Sequence, residues 1–99
     1  MARIGTFEFG APLWRHPGAD GWHFVSLPAE VSAEITAGGR RGFGSVRVDV
    51  TVGATSWRTS LFPDSKTGAY LLPVKKAVRV AERLDVGDEV RTVLQITDR

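Results

Sequence analysis

Valine recurs at positions 46, 48, 50 and 52, with Ser45, Arg47, Asp49 and Thr51 between. Successive side chains on a strand point to opposite faces, so this spacing predicts a strand with one buried and one wet side. A turn at Gly53-Ala54-Thr55-Ser56 leads to Trp57, Thr59 and Leu61, with Arg58 and Ser60 opposite, and the two runs read together as a hairpin. Near the start, Phe7 and Phe9 share a face against Glu8. Trp22 to Leu27 is a short apolar strand after the loop 17–21, and Ala69 to Leu72 supplies another. At the end, Val90, Leu94 and Ile96 alternate with Glu89, Arg91 and Gln95.

Two segments break this rhythm. Pro28 opens 29–35, where Val31 and Ile35 stand one helical turn apart and Gly38-Gly39 can end a short helix. Pro73 opens 74–83, where a helical period gathers Val74, Ala77, Val78 and Ala81 on one side and Lys75, Lys76, Arg79 and Arg83 on the other. Two valines weaken the propensity of this second helix, so packing must hold it. The breaks also resemble each other. Leu27-Pro28, helix and Gly42 recur 45 residues later as Leu72-Pro73, helix and Gly87. A weak internal repeat of this kind implies a small barrel with approximate two-fold symmetry, a helix over each end.

A chain of 99 residues makes one domain. Apolar content of 42% and charged content of 24% are those of an ordinary globular protein. A net charge of +2 is no nucleic-acid footprint by itself. With no cysteine, thiolate metal sites, disulfides and cysteine nucleophiles are excluded. No apolar run has the length of a signal peptide core or a membrane span, so a cytoplasmic protein is expected.

Chemistry is harder to find. The run Arg41 to Val48 matches five of the eight positions of a submotif used by RNA-recognition sheets. Its base-stacking rings belong at the third and fifth positions, and Ser45 stands at the fifth, leaving Phe43 alone. Glycines that let the chain turn from helix to strand account for the run more simply. The same glycines lie between helix and strand, the reverse of a nucleotide-binding loop. His16 and His23 lack a third ligand at metal-site spacing. Ser26 and Ser60 have no glycine-flanked elbow, and Asp85 and Asp88 read as turn caps around Gly87. No catalytic constellation emerges, and no metal or other cofactor is expected.

Two surface features remain. Lys75, Lys76, Arg79 and Arg83, with Arg40 and Arg41, form a candidate contact for an anion or a partner. Trp14, Trp22 and Trp57 are candidates to line a small-ligand pocket, although packing in the core and at its rim explains them as well.

Assembled, the stretches "WHFVSLPAEVSAEI", "RGFGSVRVDVTVG", "WRTSLFPDSKTGAYLLPVKKAVR" and "VGDEV" resemble the bacterial Domain of Unknown Function 1905 family over nearly the whole chain. The Ser60-Leu61-Phe62-Pro63 step and Leu72-Pro73-Val74-Lys75-Lys76 are the most specific parts. The resemblance implies a double-split β-barrel related in architecture to swapped-hairpin transcription-factor barrels, and no established activity. It also implies frequent fusion to a domain associated with bacteriocin protection, which this chain is too short to include. The expected architecture is mainly β: a small closed or double-split barrel of about six strands, with two short helices capping its ends. The expected function is a non-catalytic binding or interaction module for a protein partner or a small ligand. The alternatives are a DNA-binding barrel related to swapped-hairpin regulators and small-ligand binding in a tryptophan-lined pocket, and no membrane role is expected.

Overall fold

The computed structural model describes residues 5–18, 21–37 and 44–97. The valine run forms strand β3 (Val46–Val52), with all four valines buried and Arg47 exposed. A two-residue turn at Gly53-Ala54 joins it to β4 (Thr55–Pro63), and Gly53 takes a positive φ of 59° that glycine adopts without strain. The other strands are β1 (Thr6–Arg15), β2 (His23–Ser26), β5 (Tyr70–Pro73) and β6 (Glu89–Ile96). Helix α1 (Ala29–Ala37) follows β2, and α2 (Lys76–Glu82) follows β5.

All pairings are antiparallel, and the six strands close into a barrel in the order β1-β2-β5-β4-β3-β6. Closure removes exposed sheet edges along most of the circumference. Two strands divide their length between neighbours. Thr6–Pro12 of β1 pairs with β6, whereas Leu13–Arg15 pairs with β2. Likewise Thr55–Leu61 of β4 pairs with β3, and only Phe62 and Pro63 pair with β5. The barrel is therefore split in two places.

Exchanging β1 with β4, β2 with β5 and β3 with β6 reproduces the same set of neighbours, so the repeat seen in the sequence is a two-fold of the topology. Residues 45 apart meet on its axis, where Ser26 faces Leu71. Because β2 and β5 run in opposite directions, the helices that follow them leave at opposite ends of the barrel.

Every strand contributes to one core, from Phe9 and Leu13 in β1 through to Val90 and Leu94 in β6. Full burial of a Val or Leu side chain is worth about 1.5–3 kcal/mol, so this interior is the main source of stability. Val31 and Ile35 of α1 join the core as expected, and buried Ser32 accepts a hydrogen bond from the Tyr70 N–H at 3.1 Å. Helix α2 sits differently from its expected orientation. Val74 and Val78 are buried, but Ala77 and Ala81 are exposed. The helix is turned so that Glu82 reaches the β3–β4 turn, accepting bonds from the Thr55 hydroxyl at 2.6 Å and the Ala54 N–H at 3.2 Å. Two small alanines offer little area to bury, and two donors for a carboxylate outweigh them.

Candidate functional site

The split beside β4 opens into a groove of about 450 Å³. Four consecutive β4 residues, Trp57 to Ser60, line one wall together with Phe62. The head of β2 contributes Trp22 and His23, and the opposite wall is Pro73, Val74, Lys75 and Arg79. Consecutive strand residues point to alternate faces. A cavity bordered by four in a row must therefore run alongside the strand's backbone edge rather than over one face.

The cause of the split is visible in the hydrogen-bond alternation. Thr97 N–H donates to Arg47 O, so the odd residues of β3 face β6 and the even ones face β4. Through the register, Leu61, Thr59 and Trp57 bond to β3, leaving Phe62, Ser60 and Arg58 to face the other way. Val74 N–H donates to His23 O and Leu27 N–H to Tyr70 O, so Leu71 and Pro73 of β5 face β4. Phe62 meets Leu71, and the next rung would set Ser60 against Pro73. Proline has no N–H, and the ladder stops there. The second split has a matching cause. His16 N–H donates to Trp22 O, which puts Pro12 on the side of β1 that faces β2, at the rung after Trp14 and Phe24.

The sequence candidates divide. Trp22 and Trp57 line the groove; Trp14 does not, which corrects the three-tryptophan pocket. Leu13 takes the inward position of β1, so Trp14 faces outward and donates its indole N–H to Ser26 Oγ at 3.0 Å. There it packs with its ring centroid 5.3 Å from that of Phe24, on which Trp22 also stacks at 5.9 Å with an interplanar angle of 18°. Trp22 remains 51% exposed, an aromatic face open to solvent at the groove mouth. Trp57 is half-buried and packs against the core.

The basic helix face is also divided. Lys75 and Arg79 flank the groove, whereas exposed Lys76 and Arg83 lie away from it. Arg79 Nε donates to Val74 O at 3.1 Å, which fixes the root of its guanidinium. Arg40 and Arg41, like Phe43, lie outside the described residues. Arg58 adds a third cation to the lining, and its Nε donates to Asp49 Oδ1 at 2.8 Å. That hydrogen bond, then the charge of Asp49, push the guanidinium further above its ordinary value, so it stays protonated. Among the described residues, no Asp or Glu lines the groove. His23 Nδ1 lies 2.6 Å from Gly21 O, which can only accept, so the ring carries its proton on Nδ1 there.

Two features had no sequence signal. Nothing singled out Glu82 as the clasp between α2 and the hairpin, and the open edge of β4 was masked by a well-patterned hairpin. The turn role of Asp88 was legible: its carboxylate accepts the Asp85 N–H at 2.8 Å. Among the described residues, no group of three potential ligands is gathered for a metal, and no helix is long and apolar enough to cross a membrane.

None of the curated proteins compared matches the chain. A family model does, from residue 9 to residue 94, a span holding all of β2 to β5, both helices and most of β1 and β6. By that match, over most of its length and consistent with the split barrel, the chain belongs to the domain of unknown function family DUF1905.

Proposed function

We propose that this protein is a non-catalytic binding module whose ligand occupies the groove beside β4. The ligand presents a flat apolar group to Trp22 and Trp57 and an anionic group to Lys75 and Arg79. What carries the reading is the convergence of two tryptophans and three cations on one cavity, with no carboxylate among the described residues of its lining. Stacking on an aromatic face and attraction to a guanidinium favour the same kind of ligand. A volume of about 450 Å³ lies within the usual range for small-ligand sites. Recognition of nucleic acid has less support, because among the described residues Lys76 and Arg83 do not join Lys75 and Arg79 in the lining of the groove.

The three indole N–H signals provide the test. Titration with benzoate and phenyl phosphate, followed by nuclear magnetic resonance, is expected to shift the Trp22 and Trp57 indoles and leave Trp14 in place. The double substitution Lys75→Glu and Arg79→Glu should weaken binding at least tenfold, about 1.4 kcal/mol. Lys76→Glu with Arg83→Glu should leave it unchanged. Equal responses from both pairs, or an unmoved Trp57, would remove the reading.

A further inference from the structure

The groove borders something a small ligand would not use. At Arg58 and Ser60 the backbone N–H and C=O groups face away from β3, and Pro73 offers Ser60 no donor. Among the described residues, the Arg58 backbone has no partner on that side, and the Ser60 C=O faces a residue with no N–H to give it. The slot has two definite ends. At one, Phe62 pairs with Leu71; at the other, Glu82 holds Thr55 and Ala54. Between them the edge of β4 is open, and α2 stands across the gap. Buried or half-buried backbone polar groups need partners, and a strand edge is a template for another strand.

We propose that the groove receives an extended acidic peptide segment of a partner protein, added as a short strand on the edge of β4. This rests on the ligand groove proposed above and names its occupant. The added strand bonds to Arg58 and Ser60, two rungs that continue the β5 ladder past Pro73. Its side chains alternate, as on any strand, so those on one side meet Trp57 and those on the other meet Phe62 and Trp22. Its carboxylates face Lys75 and Arg79, in a lining with no acidic side chain among the described residues. The occupant is acidic because the described lining carries Lys75 and Arg79 with no carboxylate beside them. It is a peptide because only a backbone supplies alternating donors and acceptors at strand spacing. Two rungs leave room for about four residues at ~3.3 Å each.

The test uses the whole chain and an array of acetylated hexapeptides alternating Asp or Glu with Phe, Val or Leu. Binding members are expected to slow hydrogen exchange at the Arg58 and Ser60 amides at least tenfold. N-methylation of the peptide residue facing those rungs should cost at least tenfold in affinity; methylation of its neighbour, whose N–H points away, should cost little. Replacing the acidic residues with Lys should abolish binding. Unchanged affinity after N-methylation at both positions, or unprotected Arg58 and Ser60 amides in the complex, would overturn strand addition. If phenyl phosphate moves Trp22 and Trp57 but no peptide in the array binds, strand addition fails and the ligand groove stands. If neither binds, both fall.

Discussion

Glu82 shows how much one side chain can decide. Its carboxylate takes two bonds from the β3–β4 turn, 27 and 28 residues away in sequence. This sets the roll of α2 about its axis, and therefore which cations reach the groove. The bond from the Thr55 hydroxyl is short and charge-assisted, the stronger kind. Glu82→Ala should lower stability by about 1 kcal/mol, allowing for its partial exposure to water. For a domain of this size, that shifts Tm by about 4–8 °C. Urea denaturation should show a lower midpoint with an unchanged slope. Because the helix loses its anchor, benzoate binding should weaken as well. Neither consequence was legible beforehand, since a lone glutamate near a helix end has no sequence signature. The alanines at 77 and 81 pointed inward by periodicity, yet hold too little apolar surface to enforce it.

Strands fared better than helices, for a plain reason. Period-two alternation reports burial directly wherever one face is wet, so the run from Val46 to Val52 and its return through Leu61 were readable to within a residue or two. The second half of β1 was not, because Gly10, Ala11 and Pro12 interrupt the alternation while register with β6 carries the strand through. Trp14 was assigned to a pocket by residue type; strand parity places it opposite, since Leu13 holds the inward side. The split in the barrel was hidden more deeply. Pro73 was visible as a helix-opening residue, but its missing N–H matters through the partner strand it faces, which only the register reveals. Pro73→Ala restores that donor opposite Ser60. The expected result is a protected amide at position 73, a shorter groove and at least tenfold weaker ligand binding, with little loss of stability. Exchange rates by nuclear magnetic resonance and a parallel titration check both halves. An alanine amide that exchanges freely would show that something other than proline holds the strands apart.

At the scale of the whole molecule, closure depends on the most distant pairing in the chain. Thr6 faces Gln95 across the β1–β6 ladder, and β6 also completes β3. Such non-local pairing makes folding slow relative to helical proteins of equal length, in the range of milliseconds to seconds. It also makes the fold all-or-none. Deleting residues 89–99 strips β1 and β3 of a partner and removes Val90 and Leu94 from the core. The shortened chain should lose its near-ultraviolet circular dichroism and its cooperative thermal transition. A truncated protein that still melted sharply would mean that each half of the repeat folds alone.

The prolines at the two gaps have a consequence for how such a domain changes over time. Each lacks the single hydrogen atom that would carry the pairing of two neighbouring ribbons one step further. A cylinder of this kind could pass between sealed and receptive forms by exchanging one ring-locked residue for an ordinary one. Its interior would hardly register the difference.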